Sequence, residues 1–177
     1  MGLDTGTEVL ATVYLTLHSD YALRVLIYLS SHDGSVIRTS DISEAYNISR
    51  NHLVRVVQTL ARSGFVKVTA GRSGGMRLAR PASEINLGQV FRATEPCFNL
   101  VECFDMTTNT CPIAPVCRLK PMLREAAEAF LGVLDKYSLG DVARGESHSY
   151  LQYFLPARSR TEITGDTMAS PLDPNRA

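Results

Sequence analysis

Apolar residues recur at helical spacing in the first half of the chain, with short breaks between the segments. The first segment predicts a helix at 18–30, with Ser19 as its expected N-cap. A second, shorter helix is predicted at 39–46, with Ile42 and Ala45 facing inward. Two helices joined by a short turn are the first half of a helix-turn-helix arrangement.

A longer helix is predicted to begin after Ser49 and to end near Ser63, with Gly64 as the residue that terminates it. Its buried stripe is expected to consist of Leu53, Val56, Val57 and Leu60. Two short runs with alternating apolar and polar residues follow, FVKVTA and GMRLAR, and a glycine-rich segment separates them. A hairpin directly after a helix-turn-helix is typical of a wing.

The second half contains a short predicted helix at 86–95, a loop with four cysteines at 97–117, and a helical pattern to about Tyr137. The apolar stripe of this last helix is nearly four turns long. Because a small domain does not need so long a stripe for its own core, we expect this helix to pack against its copy in a second subunit.

These elements predict a mostly α (α+β) fold, namely a winged helix-turn-helix with a cysteine loop and a long C-terminal dimerisation helix. The expected winged domain covers 14–84, the linking helix and cysteine loop 85–117, and the dimerisation helix 118–143. Residues 1–13 are predicted to be a disordered leader and residues 144–177 a flexible tail.

Composition favours a cytoplasmic protein with no membrane segment. No run of apolar residues approaches the ~20 that a membrane helix needs. The first residues lack the charged and apolar regions of a secretory signal. The chain carries 18 basic and 18 acidic residues, so its formal net charge is zero and any attraction to a polyanion has to be local.

Such a local excess of positive charge lies on the predicted helix-turn-helix and wing. Seven Lys or Arg residues and no Asp or Glu occur between 49 and 83. A solvated basic face alone is weak evidence, but its coincidence with these elements predicts binding to double-stranded DNA. The residues predicted to contact DNA are Ser49, Arg50, Asn51, His52, Arg55, Arg72, Ser73, Gly74, Gly75 and Arg77.

The cysteines lie at 97, 103, 111 and 117, separated by five, seven and five residues. Structural zinc sites usually contain tight pairs separated by two to four residues, so this spacing favours a larger object such as an iron–sulfur cluster. Cys97 fits a buried structural thiol best. A thiol–disulfide switch stays open as an alternative. We expect no enzyme activity, because no His lies in the loop to activate a cysteine.

The chain resembles the Rrf-type winged-helix regulators over about 14–143. The stretches that carry the resemblance are YLTLHSDYALRVLIYL, ISRNHLVRVVQTLARSGFV, GRSGGMRLARPASEINLGQVFRATEP and LVECFDMTTNTCPIAPVCRLK. The resemblance implies a dimeric repressor that binds a palindromic operator and carries an iron–sulfur cluster.

The family's three cluster cysteines correspond to Cys103, Cys111 and Cys117, and Cys97 lies outside that set. Members with a [2Fe–2S] cluster have a histidine three residues after the last cysteine, where this chain has Lys120. Members with a [4Fe–4S] cluster take a further ligand from an aspartate in the first helix of the other subunit, which corresponds to Asp20. The resemblance therefore favours [4Fe–4S] over [2Fe–2S].

The recognition-helix start and the cysteine loop are most similar to the members that sense nitric oxide. The resemblance implies that nitrosylation of the cluster releases the operator. The seven-residue gap between Cys103 and Cys111 is also similar to iron-responsive members, so an iron-responsive regulator remains an alternative.

Overall fold

The structure, a computed structural model, describes residues 15–71, 74–95, 99–142, 151 and 153–155. The helices are α1 (Leu17–Ser31), α2 (Thr39–Tyr46), α3 (Arg50–Arg62), α4 (Leu87–Thr94), α5 (Leu119–Leu134) and α6 (Leu139–Val142). The strands are β1 (Val66–Thr69) and β2 (Gly75–Leu78), and single 3-10 turns lie at Ala82–Glu84 and Glu102–Phe104. The predicted mostly helical, winged architecture is confirmed.

Helix α1 begins earlier than predicted. Thr16 is its N-cap, and the Thr16 hydroxyl accepts a hydrogen bond from the backbone N–H of Ser19 at 3.2 Å. The prediction that Ser19 caps the helix was therefore wrong. Ser19 instead lies in the first turn, where it is buried.

Helix α2 is short, and it contributes less to the core than its pattern predicts. Ile42 is fully buried, as expected, but Ala45 is exposed, so that prediction was wrong. An eight-residue helix has only two turns, and Ile42 is its one buried residue. The helix ends at Asn47, whose φ of 52° is left-handed, and the chain then turns directly into α3.

Helix α3 buries the four residues that the sequence predicts, Leu53, Val56, Val57 and Leu60. The helix ends before Gly64, which has a φ of 74°, a conformation that glycine adopts without strain. The backbone N–H of Phe65 returns to the carbonyl of Leu60 at 2.9 Å and turns the chain into β1.

The wing is an antiparallel pair in which Val66 lies opposite Leu78 and Lys67 lies opposite Arg77. Ile37, in the connection between α1 and α2, pairs with Met76 on the other edge of β2. The wing is therefore attached to the helix-turn-helix through backbone hydrogen bonds as well as through the core.

The core lies between α1, α3, α4 and the inner face of the wing. Its largest fully buried side chains include Tyr28, Leu26, Leu53, Leu60 and Ile85. Two residues of 144–177, the segment expected to form a flexible tail, contribute to this core, since Leu155 is buried and Leu151 packs against it. The predicted leader at 1–13 lies outside the described residues.

Helix α5 packs against α4 and presents a second apolar face to solvent. Phe130 and Phe91 meet edge to face with their ring centroids 5.9 Å apart. The outward residues Met122 and Val133 are 62% and 49% exposed, and Tyr137, just after the helix, is 50% exposed. None of the helices that the structure describes is both long and apolar enough to cross a membrane.

Candidate nucleic-acid interface and sensor loop

The N-terminal half of α3 presents polar side chains to solvent because its apolar stripe faces the core. Arg50, Asn51, His52 and Arg55 are all exposed. Ser49 is the N-cap residue and is exposed, although its side chain makes no capping hydrogen bond. A helix with a free polar N-terminal half can enter a major groove, where such side chains meet the edges of bases.

The wing tip turns at Gly71, whose φ of 105° is accessible to glycine. Gly74 lies so close to the carbonyl oxygen of Thr69 that a β-carbon there would clash with it. A β-carbon on Gly75 would lie 2.5 Å from the carbonyl oxygen of Ile37. The glycines are thus required by the tight tip and by the strand pairing. Arg72 and Ser73, which the sequence also assigns to DNA contact, lie outside the described residues.

Basic side chains are exposed on both α3 and the wing. Lys67 and Arg77 are exposed on the outer face of the hairpin, and Arg62 is exposed at the end of α3. With no Asp or Glu between 49 and 83, this face attracts phosphate although the whole chain is neutral.

The described part of the loop between α4 and α5 contains three free thiols. Cys103 lies in the 3-10 turn and is 9% exposed, whereas Cys111 and Cys117 are partly buried. Cys97 lies outside the described residues. The described part of the chain contains no group of three His, Cys, Asp or Glu side chains that could hold a single metal ion.

Two carboxylates shape this loop through hydrogen bonds to its backbone. Asp105 accepts from the hydroxyl of Thr107 at 2.6 Å and from its N–H at 2.8 Å, and these bonds lower the pKa of Asp105. Glu102 accepts from the N–H of Thr110, and hydrogen bonds from Thr110 lower the pKa of Glu102. Both carboxylates are therefore used to fix turns.

The loop also contacts α5, the helix that follows it. The Arg124 guanidinium lies 5.5 Å from the centroid of the Phe104 ring, next to Cys103. The amine of Lys120 donates to the sulfur of Met106 at 3.4 Å. A change in the loop's conformation would therefore alter its contacts with the first turns of α5.

Asp20 lies in the first turn of α1, where it forms an ion pair with Arg24 at 2.9 Å. The Arg24 guanidinium in turn lies 5.7 Å from the centroid of the Tyr46 ring in α2. Burial raises the pKa of Tyr46 to about 12, so its hydroxyl stays neutral. Within one chain, the described residues do not bring Asp20 and the three cysteines together into a group that could hold a metal ion.

Comparison with known proteins identifies the family. Residues 15–145 match the family model described as Rrf2, an iron-dependent transcriptional regulator. The chain belongs to the Rrf2 family. The HTH-type transcriptional regulator NsrR of Bacillus subtilis is 47% identical over 133 residues, which is 75% of this chain and 91% of that protein. The NsrR of Bacillus licheniformis is 44% identical over 135 residues, or 76% of this chain and 94% of that protein.

The fold is also found among solved structures. The structure of CymR, the global cysteine regulator of Bacillus subtilis, superposes with a TM-score of 0.59 at 24% identity, over 75% of this chain and 97% of that one. This likeness concerns the fold. Together with the family, it makes the chain a winged-helix transcriptional regulator, and its curated relatives are named as regulators rather than enzymes.

The first turn of α1 makes a set of polar contacts that the sequence analysis missed. They link this turn to α3 and to the end of α4, directly before the cysteine loop. The backbone N–H and hydroxyl of Thr16 donate to Glu95, at 3.1 and 3.2 Å, directly before the cysteine loop. The Ser19 hydroxyl donates to that of Thr94 at 2.8 Å in the interior. His18 Nε2 lies 3.2 Å from the hydroxyl of Thr59 in α3.

These contacts connect the end of α4 to α3 through the first turn of α1. Their polar residues carry no helical or strand period that would single them out in a sequence. The first sign of them is the burial of Ser19, which the structure shows and the sequence does not.

Proposed function

We propose that this regulator is a DNA-binding repressor that senses nitric oxide through an iron–sulfur cluster. The observation that carries the proposal is the set of three free thiols, Cys103, Cys111 and Cys117, in one loop of an iron-dependent regulator. Thiolates are the usual ligands of iron–sulfur clusters. A thiol–disulfide switch is the alternative, because its reduced form also has free thiols, and the experiments below distinguish the two.

The donors that are present fit three of the four ligands of a [4Fe–4S] cluster. The loop's own carboxylates do not suit the fourth position, because Glu102 and Asp105 are held by the loop backbone. Lys120 cannot replace a histidine ligand, since its amine has no acceptor site. The proposed fourth ligand is the partner subunit's Asp20, whose carboxylate would leave Arg24 to reach the cluster.

The partner subunit would be a second copy of this chain, joined through α5. The outward face of that helix carries Leu119, Met122 and Val133, all more than 36% exposed in the single chain. An apolar stripe of this length is unusual on a monomer surface and suits a homodimer. A two-fold dimer places two copies of α3 on the half-sites of a palindromic operator, about one helical turn apart.

The cluster, when bound, would supply iron that reacts with nitric oxide. The residues of the chain would hold the cluster, and their contacts would link its loss to a change at α3. The thiols fix the loop, the loop follows Glu95, and Glu95 and Thr94 hold the first turn of α1, which touches α3 through His18. Loss of the ligand set would thus change the position of α3 and lower the affinity for the operator.

The test begins with anaerobic purification and measurement of iron and sulfide per chain. Wild-type protein and Cys97→Ser are expected to bind about four irons per chain, whereas Cys103→Ser, Cys111→Ser and Cys117→Ser are expected to bind little. An operator is then selected from random duplexes with the loaded protein. Titration with nitric oxide should bleach the cluster absorbance and release this DNA at the same dose.

Three outcomes would reject the proposal. A colourless protein from an iron-replete anaerobic culture would exclude the cluster. If an iron chelator releases the DNA and nitric oxide does not, the protein is an iron-responsive regulator instead. DNA binding that depends on dithiothreitol but not on iron would identify a thiol switch.

A further inference from the structure

The C-terminal end of α5 is joined to the start of α4 by backbone hydrogen bonds. The N–H of Leu87 donates to the carbonyl of Tyr137 at 3.0 Å, and the N–H of Leu139 donates to the carbonyl of Ile85 at 2.8 Å. Hydrogen bonds at one end of a helix fix the position of that end but not the direction of the helix. Further contacts must therefore set the direction in which α5 leaves the winged domain.

An ion pair supplies such a contact about one turn further along α4. Arg92 Nη1 and Nη2 donate to Asp135 Oδ1 and Oδ2 at 2.6 and 2.7 Å, so both oxygens and both nitrogens are used and the pair has one geometry. Asp135 is the C-cap residue of α5, and its backbone carbonyl accepts from the side-chain amide of Asn86 at 2.7 Å. The hydrogen bonds from Arg92 lower the pKa of Asp135, so the pair stays ionised at neutral pH.

Gly88 leaves the space that this pair occupies. A β-carbon at Gly88 would overlap Asp135 Oδ1 and would lie 3.0 Å from Arg92 Nη1. Glycine is less favourable than alanine inside a helix, and the space taken by the pair explains why α4 contains one here. The residue at 88 and the pair therefore belong to one arrangement.

The pair acts on the direction of α5 more than on stability. Most exposed ion pairs contribute little free energy, but the bidentate arginine–carboxylate geometry is an exception, and both side chains are less than half exposed. The edge-to-face contact of Phe91 with Phe130 is a further link between the two helices. Breaking the pair should thus loosen the direction of α5 without releasing the helix.

We infer that the Arg92–Asp135 pair determines which spacing of half-sites this regulator accepts. The inference rests on the proposed homodimer, in which α5 joins two copies of the chain. Helix α4 packs against α3, so the direction in which α5 leaves the domain sets the separation of the two α3 copies. One base pair moves a half-site by about 3.4 Å along the duplex and about 35° around it, and a rigid dimer distinguishes such steps.

The experiment compares operators that differ only in the spacing of their half-sites. An operator is selected from random duplexes with the anaerobically purified wild-type protein, and one base pair is then inserted or removed at its centre. Wild type should bind the selected spacing at least about tenfold more tightly than either altered version, as measured by fluorescence anisotropy. Asp135→Asn and Gly88→Ala should each reduce this preference at least about threefold.

The two variants break the pair in different ways. Asp135→Asn removes a negative charge, whereas Gly88→Ala displaces the carboxylate and changes no charge, so an effect that both share is not a general attraction to DNA. Glu125→Gln removes an exposed charge from α5 and is the control for the first. Gly132→Ala is the control for the second, because no described atom outside its own stretch of helix lies within 4 Å of the added β-carbon. Both controls should keep the wild-type preference.

Circular dichroism and sedimentation equilibrium, measured first, should show a folded dimer for every variant. If Gly88→Ala does not fold, Arg92→Lys takes its place, since it keeps the charge but not the bidentate geometry. A folded dimer that loses affinity equally for all spacings, or keeps the wild-type preference in either pair-breaking variant, overturns the inference and leaves the proposed function in place. A wild-type protein without a dimer or without a spacing preference overturns the inference together with the proposed dimer. Neither result involves nitric oxide, so failure of the sensing experiment is recognised separately.

Discussion

Single residues in this molecule decide where α3 ends and how the cysteine loop turns. Gly64 ends α3 through its backbone conformation, because the residue directly after the helix has a φ of 74°. Glu102 and Asp105 hold the turns of the cysteine loop through their carboxylates, which accept hydrogen bonds from loop residues. These two kinds of constraint give separate predictions.

Gly64→Ala should lower the free energy of unfolding by about 1 kcal/mol or more, because a β-carbon is strained in the left-handed region. Apart from Gly64 and its two chain neighbours, no atom of the described residues lies within 4 Å of the position that this β-carbon would take, so the loss reports the backbone and not a clash. Urea unfolding followed by circular dichroism measures it. The control is Ser63→Ala at the preceding residue, whose φ of −84° any residue adopts, and it should have little effect. Equal losses in both variants would contradict the argument.

The cysteine loop should loosen in acid. Hydrogen bonds lower the folded-state pKa values of Glu102 and Asp105, so their contribution is present above the ordinary carboxyl range of about 4 and is lost as pH falls through the lowered values. Carboxyl ¹³C NMR should show both midpoints below their unfolded values. The alkylation rate of Cys111, scaled to a free thiol at each pH, should rise in the same range. Asp105→Asn should remove part of this rise. A scaled alkylation rate that does not change with pH would contradict the prediction that the loop loosens in acid.

Residue identities could be predicted best where one local rule acts alone. Gly64 was predicted as the residue that ends α3, because that role depends only on the chain around it. Ser19 was wrongly predicted as the N-cap, because Thr16 and Ser19 can both cap a helix. The choice depends on Glu95, which binds Thr16 from 79 residues away. No local pattern contains that information.

At the scale of elements, the contact between α1 and α4 connects the two candidate sites. The Ser19 hydroxyl donates to Thr94, and the Thr94 hydroxyl donates to the carbonyl of Val90 at 3.0 Å. Both side chains are buried, so neither hydroxyl can easily exchange its partner for water. The pair fixes the first turn of α1 against the helix that leads into the cysteine loop.

Ser19→Ala should lower the free energy of unfolding by about 1 kcal/mol, since it leaves the Thr94 oxygen without its donor. Thr94→Val should do the same, and the double variant should lose less than the sum, with a coupling of at least about 0.5 kcal/mol. Urea unfolding of all four proteins measures this. A matched pair outside the contact, Ser19→Ala with the exposed Ser63→Ala, should be additive. Additive losses for Ser19 and Thr94 would show that the two hydroxyls do not interact.

The elements themselves followed from the spacing of apolar residues where the helices are long. The stripe of α3 was predicted correctly in full, because thirteen residues sample the helical period several times. In α2 the pattern placed Ala45 inward, yet it is exposed, since a two-turn helix can be rotated by its neighbours at little cost. The role of Leu155 could not be predicted, because a short apolar group in a polar segment has no period.

At the scale of the whole molecule, α5 has two apolar faces, and a single chain covers one of them. The inward face includes Ala127, which is buried, and Phe130 contacts Phe91 at its edge. Arg92 and Asp135 form a bidentate pair between α4 and α5, at 2.6 and 2.7 Å, which fixes how α5 is rotated. The outward face, with Met122 and Val133, is therefore held in a defined direction. The length of the stripe could be predicted from the sequence, but its division into two faces could not.

The outward face gives the prediction that tests the assembly. Burying a methionine side chain is worth about 1.5–3 kcal/mol, and in a two-fold dimer each copy contributes one. Met122→Lys should therefore weaken dimerisation at least about 100-fold, as measured by sedimentation equilibrium over a range of concentrations.

Glu128→Lys is the matched control, because it also adds positive charge to α5 but lies about 120° around the helix from Met122, on the side away from the apolar stripe. It should leave the dimer intact. Circular dichroism should show the same helix content in both variants, so that a lost dimer is not confused with a lost fold. If Met122→Lys sediments like wild type, the two copies do not meet on this face. In that case nothing in the structure would support placing the partner subunit's Asp20 near the cysteine loop.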